Sequence, residues 1–215
     1  MVMALAATIA TFAVPRALPR LAYLRPAVAA GELHRLLTAH LVHAGARHLA
    51  LDLAALALAL ALVGGELGSR RWTTLLFGSA VGSSLAVYWF SPATAGFAGL
   101  SALVHALLGG GAAALLRRRA AGGVWLAAGL GAKLALERFG GRFDLPFAGG
   151  VEVAIDAHLY ASLVGAACGG WIARRAPSQA TASAATASAP SSAGENPASS
   201  RPSSANTPAS PASEL

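Results

Sequence analysis

A chain of 215 residues that is 55% hydrophobic and 12% charged, with mean hydropathy +0.58, lies outside the range of soluble domains, where about a quarter of residues are charged. Lipid is the solvent this composition asks for, which excludes a disulfide-stapled secreted scaffold, a chain disordered throughout and a nucleic-acid-binding domain. The net charge of +7 does not call for nucleic acid either, because the arginines sit between apolar runs and not on one polar face.

In chain order the apolar segments are 1–14, 46–63, 72–90, 99–116, 123–139 and 153–173, most of them near the ~20 residues that cross a hydrocarbon core about 30 Å thick. The first rises only about 21 Å as a helix. It has no basic start and no small-x-small cleavage site, so it reads as a helix and not as a signal peptide. Residues 176–215 are nearly all Ala, Ser, Pro and Thr without apolar periodicity, which predicts a disordered tail. The expectation is an all-α membrane protein: six transmembrane helices in one domain, 1–175, followed by that tail.

Positive charge sets the orientation. Arg70 and Arg71 lie between helices 2 and 3, Arg117 to Arg119 between 4 and 5, and Arg174 and Arg175 after 6. All three clusters fall on one side, which is predicted to be cytoplasmic together with both termini. The loop from Pro15 to Gly45 opposes this with Arg16, Arg20, Arg25 and Arg35 against Glu32; three tight clusters outweigh one long loop.

Helix 2 opens with His43, His48 and Asp52, the last two four apart and so on one side. His34, His40, His43 and His48 do not have zinc-ligand spacing and no Cys supports them, so no metal is expected. His48 is better motivated as a donor toward an oxyanion. Gly78, Gly82, Gly129, Ala161 and Gly165 let helix backbones approach closely in lipid. Cys168 reads as a small packing residue.

Ser101, after Gly96 and Gly99, begins helix 4. It either caps the helix or is a nucleophile beside free helix-start amides, including that of Leu100, that stabilise an oxyanion. His158 begins helix 6, and the 57 positions between them suit one helix in and one helix out, returning both to one face. An imidazole there is the base a serine hydroxyl needs. Lys133 and Glu137, four apart on helix 5, read as a mutual ion pair or as a receiver for a polar substrate tail. His105, one turn below Ser101, reads as a packing or hydrogen-bond partner of His158. Asp156 points elsewhere on its helix.

From about residue 31 to 172 the chain resembles the rhomboid family of intramembrane serine proteases. Gly99-Leu100-Ser101 matches its Gly-x-Ser motif, Ala157-His158 its Ala-His motif and His48-Leu49-Ala50-Leu51-Asp52 its His-x-x-x-Asn motif. Gly65-Glu66-Leu67-Gly68-Ser69 resembles its Glu-x-x-Gly-Ser turn. The likeness is closest to the rhombosortases, small bacterial enzymes that process carboxy-terminal Gly-Gly sorting tails. It rests on residues 30–38, His105, Ala132-Lys133-Leu134 with Glu137, and residues 155–160. Four departures stand out: Ala102 and Ala161 where the family has glycine, His34-Arg35 where its first loop has Trp-Arg, and Asp52 where it has Asn. An ionised Asp52 cannot donate to an oxyanion; protonated by burial it could, or it could instead hold His48 in place.

The resemblance implies a serine endopeptidase with a Ser101–His158 dyad, an oxyanion site around His48, Asp52, Gly99 and Leu100, and His105, Lys133 and Glu137 behind the dyad as supporting residues. It needs no cofactor. Its partners would be the lipid bilayer and membrane-anchored proteins with a carboxy-terminal transmembrane tail. The protein would be multi-pass in the bacterial inner membrane, with its active site opening to the outer face. The alternatives are a rhomboid protease for other single-span substrates and an inactive rhomboid-like protein that binds membrane clients.

Overall fold

The computed structural model describes residues 2–13, 16–140 and 154–174; the predicted tail lies outside the described residues. Helices occupy every apolar segment, and the long first loop is folded as well. The order is α1 (Val2–Ala13), α2 (Ala17–Leu21), β1 (Tyr23–Leu24), α3 (Arg25–Ala29), α4 (Arg35–Thr38), a 3₁₀ turn η1 (Ala39–Leu41), α5 (Ala46–Val63) and α6 (Ser69–Phe90). Then come β2 (Gly96–Phe97), α7 (Ser101–Arg117), α8 (Ala121–Phe139) and α9 (Ile155–Arg174). The two short strands pair antiparallel, Tyr23 with Phe97 and Leu24 with Gly96.

Two arginines organise the 16–45 segment. The last carbonyls of a helix have no partner within it, and the Arg25 guanidinium supplies one for α6. It donates to the carbonyls of Val87 and Tyr88 at 2.8 Å, Ser91 at 2.6 Å and Thr94 at 3.3 Å. Arg35 donates to Glu32 at 2.7 Å and to the carbonyls of Ala22 at 2.7 Å and Pro19 at 3.1 Å.

The core is built around α7, where Leu100, Ala106, Leu107 and Ala114 are fully buried and which packs against α5, α6, α8 and α9. Against α9 the contact is backbone on backbone. A Cβ on Gly109 would lie 2.3 Å from the Ser162 carbonyl oxygen, and one on Gly165 2.3 Å from that of Ala106. Of the expected small residues, Ala161 and Gly165 are in this crossing and Gly82 faces Val164, whereas Gly78 and Gly129 face open space. Gly109, Gly110 and Gly169 complete it. Close backbone approach is how helices associate where lipid removes the hydrophobic drive. Here it draws together the first turns of α7 and α9.

At the opposite end, Arg118 after α7 donates to the Glu66 carboxylate at 2.9 Å and to its carbonyl at 2.8 Å. The Arg70–Arg71 and Arg117–Arg119 clusters therefore share one end of the bundle. Among the described residues, α5 and α6 are long and apolar enough to cross a membrane, and α7 is apolar over 17 residues.

Candidate active site

Ser101 is the first residue of α7, and Leu100 stands at the cap without a side-chain capping bond. The serine hydroxyl does not cap the helix; its Oγ lies 2.9 Å from His158 Nε2. His158, in the first turn of α9, is 5% exposed, and its Nδ1 lies 3.2 Å from Glu137 Oε2. The turn into Ser101 needs Gly99 for two reasons. Its φ is +121°, a region side chains rarely adopt, and a Cβ there would come within 2.8 Å of His48 Nε2 and 2.9 Å of Asp52 Oδ2.

The helix-start amides expected to be free both have partners. The Ser101 N–H donates to Asp52 Oδ2 at 3.2 Å, and the Leu100 N–H meets His43 Nε2 at 3.3 Å. The same carboxylate oxygen lies 3.1 Å from His43 Nε2 and 3.5 Å from His48 Nε2. Asp52 is thus a buried hub joining two histidines to the backbone of Ser101.

Across the site, His105 stacks face to face on His158, with ring centroids 4.1 Å apart and planes 10° from parallel. Its Nδ1 lies 2.7 Å from the Ser101 carbonyl oxygen, and its Nε2 lies 2.9 Å from Lys133 Nζ. Lys133 also donates to Glu137 Oε1. The Lys133–Glu137 pair on α8 therefore forms the expected ion pair, and it touches both site histidines, His105 through the same Nζ and His158 through the second Glu137 oxygen. Asp156 faces away, toward Thr94 and Arg138, each at 3.4 Å.

Residues 30–175, about two thirds of the chain and every residue of this constellation, match the Rhomboid domain. The chain belongs to the rhomboid family. Rhomboids are intramembrane serine proteases acting on membrane-protein substrates within the bilayer, and the Ser101–His158 contact is the geometry such chemistry requires. No curated protein matches the chain.

Within this rhomboid domain the structure gathers His48, Asp52, Gly99, Leu100 and Ser101 on one side, and His105, Lys133, Glu137 and His158 on the other. The sequence places His43 level with His48 and Asp52 but gives it no role of its own; its contact with Asp52 depends on how η1 and the turn before α5 fold. Sequence reasoning missed the contact of Glu137 with His158, although the weak Lys-before-Glu order of the pair is a sign of partners beyond it. The grouping with metal-ligand character among the described residues is His105, Glu137 and His158, whose ligand atoms lie within 4.8 Å of one another, and not the histidine run of residues 34–48. Lys133 Nζ touches two of the three, His105 at 2.9 Å and Glu137.

Proposed function

We propose that the protein is an intramembrane serine endopeptidase of rhombosortase type, cutting carboxy-terminal Gly-Gly sorting tails from exported proteins. The observation that carries the catalytic part is the 2.9 Å approach of Ser101 Oγ to His158 Nε2 at the meeting of two helix starts. Ser101 attacks the scissile carbonyl while His158 takes its proton. His158 then returns that proton to the leaving amine, and a water repeats the sequence to release the acyl group. The oxyanion rests near the Ser101 and Leu100 amides with His48 beside them, sharing those amides with their present partners, Asp52 and His43.

The choice of substrate is supported by the likeness to rhombosortases in residues 30–38, 132–137 and 155–160. Six crossings, cytoplasmic termini and an active site open to the outer face of a bacterial inner membrane are part of the same reading. It is supported by the three arginine clusters, two of which share the end of the bundle remote from Ser101.

Reconstituted protein is expected to cleave a Gly-Gly-tailed substrate, and Ser101→Ala or His158→Ala to abolish cleavage; persistence in both variants removes the dyad. Asp52 on the Ser101 amide favours a second reading, an inactive rhomboid that binds membrane clients. Labelling by a serine-reactive fluorophosphonate separates the two. An activated Ser101 labels in the unaltered protein and not in His158→Ala, whereas a client-binding protein labels in neither.

A further inference from the structure

The contacts on the far side of His158 suit an orienting device. Lys133 is an ammonium with donors only, so His105 Nε2, 2.9 Å from it, must present its lone pair. His105 Nδ1 therefore carries the proton and donates it to the Ser101 carbonyl oxygen 2.7 Å away. The same ammonium donates to Glu137 Oε1, which leaves Oε2 as an acceptor 3.2 Å from His158 Nδ1. A carboxylate in that position fixes the proton of neutral His158 on Nδ1. Its Nε2 lone pair is then directed at the Ser101 hydroxyl 2.9 Å away.

Resting on the serine-protease reading above, we infer that Glu137 is a positioning residue for His158, extending the dyad to a Ser101–His158–Glu137 triad, and that Lys133 sets which oxygen of Glu137 faces the histidine. The triad draws on three helices: the nucleophile on α7, the base on α9 and the acid on α8. During turnover the carboxylate also faces the imidazolium that forms when His158 takes the serine proton, and it stays ionised throughout. His105, stacked on the same ring with its Nε2 lone pair taken by Lys133, presents no proton of that nitrogen to the site.

The Lys133 contact makes the test specific. In Glu137→Gln, Lys133 holds the amide oxygen at the Oε1 position, which turns the NH₂ group toward His158 Nδ1. That donor forces the His158 proton onto Nε2 and leaves no lone pair for Ser101. Glu137→Gln is therefore expected to lower kcat by roughly 10²–10⁴-fold with KM nearly unchanged, the size of effect a wrong histidine tautomer produces. Glu137→Asp should recover part of the loss.

Adding Lys133→Met to Glu137→Gln frees the amide to turn its oxygen to Nδ1. The double variant is expected to be about tenfold or more faster than Glu137→Gln alone, a sign of coupling that independent structural damage does not give. Glu137→Gln within threefold of the unaltered protein, or a double variant slower than the single, overturns the inference. If Glu137→Gln does not fold, ¹⁵N shifts of the His158 ring in the unaltered protein decide: a protonated Nδ1 with a bare Nε2 is expected, and the opposite tautomer refutes the role. Fluorophosphonate labelling of the unaltered protein, lost in Ser101→Ala, keeps the two levels apart. Absence of labelling defeats the protease reading, whereas labelling with a silent Glu137→Gln defeats only the triad.

Discussion

Asp52→Asn tests the most consequential departure of the site from its family. The Asp52 carboxylate oxygen holds the Ser101 amide at 3.2 Å, so an oxyanion bound about 3 Å from that nitrogen forms within about 5 Å of a carboxylate. At an effective dielectric of about 20, two unit charges at that distance repel by about 3 kcal/mol, equivalent to somewhat over a hundredfold in rate. His43 and His48, at 3.1 and 3.5 Å from the same oxygen, reduce this when either carries a proton. An Asn carboxamide keeps an acceptor for the Ser101 N–H, removes the charge and adds a donor. The expected outcome is a rise in kcat of about 10- to 100-fold with KM within about threefold, because the interaction appears only in the transition state. Steady-state cleavage of a reconstituted substrate in proteoliposomes measures it. An unchanged kcat means the carboxylate leaves the amide when substrate binds, and a tenfold fall in a folded variant means it has a positive task with its two histidines; either result refutes the repulsion argument.

Gly99→Ala places a methyl 2.8 Å from His48 Nε2 at a φ of +121°; backbone strain of roughly 1–3 kcal/mol and a displaced His48 should lower both the thermal midpoint and kcat, and a melt and rate within error of the unaltered protein would contradict it. Arg25→Ala removes a guanidinium from four carbonyls around the end of α6 and should cost about 3 kcal/mol, read as a melting temperature lower by roughly 5–15 °C in detergent. His40 is fully buried, with Nε2 on the Ala80 carbonyl and an Nδ1 that has no partner among the described residues. Burial pushes its pKa from 6.5 down to about 4, so the unfolded chain binds the extra proton first. Its contribution is complete above pH 6.5 and is lost as pH falls toward 4, amounting to about 2 kcal/mol between pH 6.5 and 5. Melts across that range should show the slope, and His40→Gln should flatten it; a slope retained in His40→Gln assigns the effect to another group.

Patterns that depend on period and spacing were legible in the sequence. Apolar runs located the helices, and the 57 positions between Ser101 and His158 forecast a meeting that the two helix starts make at 2.9 Å. What the sequence left hidden is set by irregular backbone and by side-chain reach. His43 arrives at Asp52 through η1 and a turn, neither of which has a periodic signature. Glu137 reaches a neighbouring helix although its spacing to Lys133 already explains it as a pair. The loop arginines were read as orientation signals, yet Arg25 and Arg35 are committed to carbonyls and to Glu32. An arginine that caps a helix is selected by the fold, so the charge excess of that loop weighs less against cytoplasmic termini than its count implies.

The same reasoning explains why hydropathy alone singles out α5 and α6. Lys133, Glu137 and Arg138 lie in the last two turns of α8, and Asp156 and His158 open α9; averaging over a helix dilutes its apolar remainder with these groups. At 1.5 Å per residue, Asp52 lies about 9 Å from the start of α5, His105 about 6 Å from the start of α7, and Lys133 about 9 Å from the end of α8. All the polar groups of the site therefore share a layer about 10 Å deep at one end of the bundle. Charges at that depth are tolerable because each has a partner in the layer. The proposed proteolysis needs a shielded carboxylate–imidazole pair, and this layer holds one in Glu137 and His158. The residues that weaken the membrane signal of α8 and α9 are the residues that give the bundle its chemistry.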